Sequence, residues 1–513
     1  MPATLESIEA EIATLHETLE SQGLNSRGVT DIFGRKFSLP VDDEHKAKKL
    51  GLTQIFCNFS NPHMRAFHTS WFGFFSSFFS TFAAAALIAY IGPDLNLTAE
   101  DKGNAGIAAV AGTIFFRLAM GYICDKVGAR RGLGTLLLLV TPPIICFIIP
   151  GVIVNAGGFI AARCVIGWGL ATFVACQTWC SQQFSKSVVG MANATAAGWG
   201  NLGGGVTNLT MPYIFLIMMS FANDDVNKAW RLCYIVPLVL HVVGAAAVFT
   251  ARDLPDGNYA ELEKSGAKQK TDSKVVLVTG VTNINAWLLT LTYGFCFGVE
   301  LTMNNVAAGF FYNYQGVTPQ LAGIAASMFG LMNIFARSLG GLLSDFCNAR
   351  FGMRGRLWSC WIIQTIEGVM CCILGSVTAD MSAPYPSTGP KYPAFVEIPK
   401  DEWRVALNTS WGWTPLMAEG LHFGIVPYVS RPALGIVSGM VGAGGNLGSV
   451  IATWTFFKGR YRTDDGIVNL GIMIIGVTLL LFGVHFPEHG SMLFKKGAIK
   501  RPRRRRTSPR WSK

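Results

Sequence analysis

Twelve stretches of this chain are apolar over roughly the 20 residues that a helix needs to cross a lipid bilayer, and they fall into two sets of six. The first set lies near 71–91, 105–123, 133–154, 158–180, 189–217 and 231–250. The second lies near 284–311, 321–344, 357–377, 408–428, 434–457 and 467–486. They are numbered here as spans 1 to 12. In hydrocarbon each backbone N–H and C=O must be satisfied, and continuous runs of this length can do that only as helices. Composition agrees. Half of the 513 residues are hydrophobic and 14% are charged, where a soluble chain carries about a quarter charged residues. The expected fold class is an all-α membrane protein with twelve transmembrane helices in two pseudo-symmetric six-helix halves. The expected plan is a cytoplasmic N-terminal segment (1–69), a first bundle (70–250) and a cytoplasmic linker (251–282). A second bundle (283–487) follows, with an outer loop at 379–407, and then a basic tail (488–513).

Loop charge orients the spans. Lys126, Arg130 and Arg131 follow span 2. Lys264, Lys268, Lys270 and Lys274 join span 6 to span 7, and Arg350, Arg354 and Arg356 follow span 8. With twelve spans these loops share one side, so the excess of basic residues places them and both termini in the cytoplasm. The opposite loops IGPDLNLTAED and FANDDVN are acidic or neutral, and the sequons at Asn96 and Asn408 fall on that outer side. KGRYR (458–462) breaks the pattern without explanation. The net charge of +11 comes mostly from ten Lys or Arg between Ser491 and Lys513. Such a tail suits an anionic leaflet, at about 1 kcal/mol per basic residue. No folded nucleic-acid-binding domain accompanies it, so membrane lipids are its expected partner and nucleic acid is not. Phosphorylation of Thr507 or Ser508 would weaken that attraction.

At the other end, Leu5, Ile8, Ile12, Leu15 and Leu19 are spaced three and four apart. They fit a short amphipathic helix or a coiled coil of about two heptads, either docked on its own protein or available for self-association. The first twenty residues are acidic and lack the apolar core of a cleavable signal peptide. The twelve cysteines lie almost all in apolar runs and form no CxxC pair. They read as packing residues, not as a disulfide framework or a zinc site. No cofactor is expected.

Two permanent charges interrupt the apolar spans. RLAMGYICD places Arg117, Gly121 and Asp125 four residues apart, and RSLGGLLSD repeats this with Arg337, Gly341 and Asp345. Steps of four keep each trio near one helix face. A guanidinium at membrane depth costs about 2.5–3.5 kcal/mol on insertion scales, so the repeated cost implies a two-fold cage for a small anion. The halves repeat again in GWGNLGGG (198–205) and GAGGNLGS (442–449), which share Gly-Asn-Leu-Gly around Asn201 and Asn446. Asn201 follows Arg117 by 84 residues and Asn446 follows Arg337 by 109, and the 25-residue polar insertion at 380–404 accounts for the difference. Small residues let membrane helices approach closely, whereas a buried amide requires hydrogen-bond partners. The two asparagines are therefore candidate binding residues.

GYICDKVGARR (121–131) matches the loop 2–3 signature of the major facilitator superfamily, Gly-x-x-x-Asp-Lys/Arg-x-Gly-x-Lys/Arg. Gly121, Asp125, Arg130 and Asp345 are the expected conformational latch. RLAMG, AAGWGNLGGG, MFGLMNIFARSLGG and SGMVGAGGNLGS closely resemble the nitrate–nitrite porter family of that superfamily. PHMRAFH, ATFVACQ, FGVEL and GMRGRLW resemble its eukaryotic high-affinity members in plants and algae. The resemblance covers roughly 35–490 and implies a major facilitator fold with one oxyanion clamped between Arg117 and Arg337. It further implies roles for Phe173 in span 4, Asn201 in span 5, and Tyr293 and Phe297 in span 7. The chemistry suits nitrate, which is flat and singly charged, so that planar guanidinium forks can donate to it and rings can cover its faces. Some members need a small single-span accessory protein.

Glu300 lies three residues after Phe297 on the same expected helix face. An intramembrane carboxylate is a functional candidate by default, so Glu300 is the expected proton-coupling residue, ahead of Glu367, Glu419, His241 and His422. The expected function is secondary active transport of nitrate, and of nitrite, by proton-coupled symport through alternating access in the plasma membrane, with no enzymatic activity. Nitrate/nitrite exchange, transport of another anion, and nitrate sensing with little flux are the alternatives.

Overall fold

The structure, a computed structural model, describes residues 30–31, 34–265, 273–314, 327–376, 413–430, 432–457 and 461–494. The heptad-like start, the outer loop at 379–407, the sequon at Asn408, Lys268 and Lys270 of the linker, and the tail beyond Phe494 lie outside these residues.

In the first half, span 1 is His63–Ala86, continued as Ile88–Asp94, span 2 is Ala99–Val127, and span 3 is Ala129–Ile148. Span 4 runs through Ala156–Gly167, a tightened turn at Trp168–Ala171, and Thr172–Gln183. Span 5 is Val189–Phe221, and span 6 is Val226–Cys233 with Ile235–Phe249. In the second half, span 7 is Ile284–Gly294 and Phe297–Tyr314, span 8 is Met332–Ile334 and Ala336–Phe351, and span 9 is Met353–Ser376. Span 10 is Trp413–Ile425, span 11 is Leu434–Ala452 with a wide turn at Thr453–Phe457, and span 12 is Thr463–Thr478 with Leu479–Gly483. Among the described residues, nine helices are long and apolar enough to cross a membrane by themselves. Spans 1, 8 and 10 complete the six-plus-six order. Span 1 is rich in serine, and the described helices of spans 8 and 10 are shorter, at 16 and 13 residues.

Local chemistry sets several helix starts. Thr98 accepts from the Asp101 N–H at 3.1 Å while the Asp101 carboxylate accepts from the Thr98 N–H at 3.0 Å, a capping box that opens span 2. Asn155 and Asp225 cap spans 4 and 6 through the N–H groups of Gly158 and Lys228. Span 1 starts at His63, ahead of the expected 71, so the first bundle reaches back before residue 70. Two histidines there are buried. His63 Nε2 bonds the His45 carbonyl at 2.8 Å, and His68 Nε2 bonds the Asn58 carbonyl at 3.0 Å.

The segment before span 1 straps across one end of the first bundle. Asp31, itself buried, holds Arg35 at 2.5 Å and Arg252 at 3.1 Å. His45 meets Asp256 at 2.7 Å, and Ala47 pairs with the backbone of Gln183 and Ser185 at 3.0 Å each. The halves meet along two glycine-rich seams, span 2 against span 11 and span 5 against span 8. A Cβ on Gly121 would overlap the Gly435 carbonyl, one on Gly341 the Gly190 carbonyl, and one on Gly198 the Asn333 carbonyl. Close backbone approach is what these glycines permit.

Candidate functional site

The two seams bring Arg117 and Arg337 to the middle of the bundle, both essentially unexposed. Their surroundings differ. The Arg117 guanidinium donates to the Gly442 carbonyl of the other half and, at 3.4 Å, to the Leu170 carbonyl. Among the described residues no carboxylate lies within ion-pair distance of it, and its Nε has no hydrogen-bond partner. Arg337 is paired twice, with Glu300 at 2.7 Å and with Glu419.

Aromatic rings separate the two cations. The Phe297 centroid lies 5.0 Å from the Arg117 Cζ and 5.5 Å from the Arg337 Cζ. Phe173 lies 4.9 Å from the Arg117 Cζ, beside Phe297. Phe173 and Phe297 are nearly coplanar in orientation, with 7° between planes and 5.9 Å between centroids, and Tyr293 is within 16° of both. Span 7 achieves this by breaking its helix at Phe295–Cys296. Gly294 and Gly298 flank the break and sit against the backbone of Gly444, Gly448 and Ser449. Any side chain at these glycines would push span 7 away from span 11. Phe423 of span 10 closes the cluster edge-on, 5.0 Å from Phe173 and 5.2 Å from Tyr293. The Tyr293 hydroxyl is buried and, among the described residues, has no hydrogen-bond partner.

Glu300 itself occupies an anion's coordination shell. Its carboxylate accepts from Asn201 Nδ2 at 3.0 Å across the two halves, from Asn333 Nδ2 at 2.9 Å, and from Arg337 at 2.7 Å. A flat, three-atom anion held by two amides and a guanidinium is a close chemical likeness of a bound oxyanion. The central charges balance, with two guanidiniums against Glu300 and Glu419. A further anion entering this space would leave net negative charge buried, which is costly at low dielectric.

The structure thus gathers Arg117, Phe173, Asn201, Tyr293, Phe297, Glu300 and Arg337 in one place. Asn446 stands apart in its contacts. Its Nδ2 donates to the Val110 carbonyl of span 2 at 3.1 Å, tying span 11 to span 2. Reading the sequence missed Phe423 and Asn333. Asn333 lies four positions before Arg337 in the same span, and that spacing was the available signal, although the helix breaks between them at Phe335. Of the secondary candidates, Glu419 joins the site. His422 bonds the Ala418 carbonyl and the Thr292 hydroxyl, while His241 bonds Ser80 inside the first bundle. Glu367 lies fully buried on span 9, beside the Cys296 thiol.

The latch residues divide. Asp125 accepts from the N–H groups of Gly435 and Ile436 at 2.9 Å each, at the N-terminal end of span 11. Asp345 accepts from the Met191 N–H at 2.8 Å in the first turn of span 5, and holds Arg356 at 2.7 Å. Each aspartate crosses to the opposite half and meets a helix N-terminus, where negative charge is favoured. Arg130 does not cross. It stays in its own half, with its N–H donating to Asp253 at 3.1 Å and its guanidinium to the Phe249 carbonyl. Burial pushes the Asp253 carboxyl above its usual range, and Arg130 opposes that shift.

Known proteins resemble this chain in sequence and in fold. Residues 70–385 match the model of the Major Facilitator Superfamily. The chain is 43% identical to the high-affinity nitrate transporter 2.3 of Oryza sativa subsp. japonica, over 90% of this chain and 85% of that one. It is 43% identical to the high affinity nitrate transporter 2.5 of Arabidopsis thaliana, over 92% and 89%. To the nitrate transporter 2.1 of Chlamydomonas reinhardtii the identity is 40%, over 90% and 81%. Among solved structures it resembles the proton:xylose symporter XylE, with a TM-score of 0.59 over 82% of this chain and 95% of that one. For FucP in its outward conformation the TM-score is 0.58, over 81% and 97%. Identity to both is 12%, so these two show the fold alone.

Proposed function

The chain belongs to the major facilitator superfamily and to its group of high-affinity nitrate transporters, and from that premise we propose that it imports nitrate, with nitrite as a second substrate, by proton-coupled symport. It is a multi-pass membrane protein and not an enzyme. The observation that carries the reading is the pair of buried arginines facing a stack of parallel rings, one cation with no carboxylate in ion-pair distance among the described residues and the other held by two. The anion's seat lies between Arg117, Phe173 and Phe297, within reach of Arg337 once its carboxylates let go. Guanidinium forks donate in the plane of the anion, and the aromatic faces cover it. Asn201 and Tyr293 supply neutral hydrogen bonds.

Coupling follows from competition. Glu300 and Glu419 already occupy Arg337, so the anion gains that guanidinium when protons neutralise its competitors. Import of a bare anion against a negative-inside potential costs about 2.3 kcal/mol per 100 mV. One proton cancels that cost and two reverse it, and the two carboxylates offer two seats. Alternating access is rocking of the halves about this site, with Asp125 and Asp345 as latches at one end. In the orientation set by loop charge that end is cytoplasmic, as are both termini, and the membrane is the plasma membrane. A small single-span accessory protein and self-association through the amphipathic start remain proposals that co-purification tests.

The decisive measurement is nitrate-evoked current at two external pH values, in the wild type and in Arg117→Lys and Arg337→Lys. Inward current that grows with acidity is expected in the wild type, with far more nitrate needed to evoke it in both variants. Wild-type flux that ignores pH but exchanges nitrite for nitrate would replace symport by exchange. Competition by phosphate but not chlorate would point to another anion, and absence of flux to a sensor.

A further inference from the structure

We propose that the groove between the turn joining spans 8 and 9 and the hairpin after span 12 is a binding site for an anionic phospholipid. The hairpin pairs His485–Phe486 with Gly490–Ser491 and returns beneath span 9, where Trp358 Nε1 donates to the Met492 carbonyl at 3.1 Å. Between them lies a groove of about 860 Å³. Its walls include Trp358, Ile362 and Phe494, and Phe351 stands at its mouth. Phe351, Phe494 and Ile362 are 68%, 51% and 44% exposed. This apolar wall continues the lipid-facing surface of spans 8 and 9.

The rim is cationic. Arg350 and Arg354 both line the groove, and among the described residues neither has a carboxylate within ion-pair distance. Arg350 lies over the Phe346 ring at 4.8 Å. Asp345 of span 8 is engaged by Arg356 and the Met191 N–H on the inner side of the turn. Span 9 begins at Met353 with no acidic residue in its first turn, so its dipole adds positive potential to that of the two arginines. Gly352, at φ +62°, makes the tight turn that presents them together.

One ligand class satisfies both surfaces. A headgroup phosphate takes the two guanidiniums and the helix N-terminus, and acyl chains cover the exposed rings. A soluble phosphate would leave the apolar wall uncovered. The chain's own tail is a poor occupant, because it carries ten basic residues and no acid from Ser491 onward and would meet two more arginines. Basic pockets between helices at a membrane face are a known form of headgroup recognition.

The test uses the full-length protein in phosphatidylcholine nanodiscs doped with phosphatidylinositol 4-phosphate bearing a photoactivatable acyl chain, and maps the adducts. Adducts on the peptides carrying Phe351, Trp358 and Ile362 are expected, reduced roughly ten- to thirtyfold in the Arg350→Gln/Arg354→Gln double variant. A photoactivatable phosphatidylcholine should label these peptides weakly and equally in both proteins. Adducts confined to the tail beyond Lys495, equal labelling by the two lipids, or undiminished labelling in the double variant would each overturn the proposal. So would full protection by inorganic phosphate, which would make the site one for a soluble anion. The nitrate reading is not at stake in any of these outcomes.

Discussion

Arg117 and Arg337 occupy equivalent places in the repeat yet do different work. Arg117 donates to backbone carbonyls, so its full charge is available to an incoming anion. Lysine there would keep the charge but lose the planar fork. Arg117→Lys is expected to weaken nitrate binding at least about tenfold, a loss of about 1.4 kcal/mol, with the protein still reaching the membrane. Titration of nitrate-evoked current checks this. Arg337 is shared between Glu300 and Glu419, and removing it leaves two buried carboxylates unpaired, the kind of change that costs about 3–5 kcal/mol. Arg337→Ala should therefore lower the folded yield as well as transport. Glu300→Gln removes a competitor for Arg337 while keeping the shape. Its expected signature is a current whose dependence on external pH flattens while nitrate still binds. An unaltered pH slope in that variant would remove Glu300 from the coupling scheme.

At the scale of elements, glycine placement decides how close the spans come. A methyl on Gly121 would collide with the Gly435 carbonyl, backbone that cannot step aside, whereas Gly476 has nothing within 4 Å of the corresponding position. Gly121→Ala is expected to cost about 1–3 kcal/mol through overpacking and to abolish most uptake, while Gly476→Ala leaves uptake near wild type. Side-by-side uptake assays at matched expression test the pair. Span 7 teaches a related lesson. Its residues read as one continuous helical stripe, and the spacing of Tyr293, Phe297 and Glu300 does bring them to one site. The helix nonetheless breaks at Phe295–Cys296, because Gly294 and Gly298 can lie against span 11 backbone and the rings can turn toward Phe173. Periodicity located the residues; packing against another element decided their geometry.

For the molecule as a whole, the two halves are joined at one end by symmetric contacts, Asp125 to span 11 and Asp345 to span 5. A charge at a helix N-terminus contributes about 0.3–1 kcal/mol, more when partly buried. Asp125→Asn and Asp345→Asn should each shift the resting population away from this closed end, and the double variant should shift it by about the sum, since distant sites add. Labelling rates of single cysteines introduced near Gly435 and Met191 report the opening. Unchanged rates in the double variant would mean that the glycine seams, not the aspartates, hold this end shut.

Hydrophobic run length, the repeated arginines and the shared Gly-Asn-Leu-Gly motifs were enough to establish the membrane-spanning fold, its two-fold plan and most of the central residues. These follow from local physics. A bilayer demands long apolar helices, and a charge tolerated inside one must be used. The sequence could not say what each buried charge faces, because that depends on which helices meet. Only the tertiary structure decided that Arg337 is held by Glu300 and Glu419 while Arg117 is not. It also decided that Asn333 completes the site, that Asn446 ties spans together, and that Arg130 turns back to Asp253. A guanidinium's role is set by the acids within a few ångströms of it, and those lie 37 and 82 residues away in the chain for Arg337.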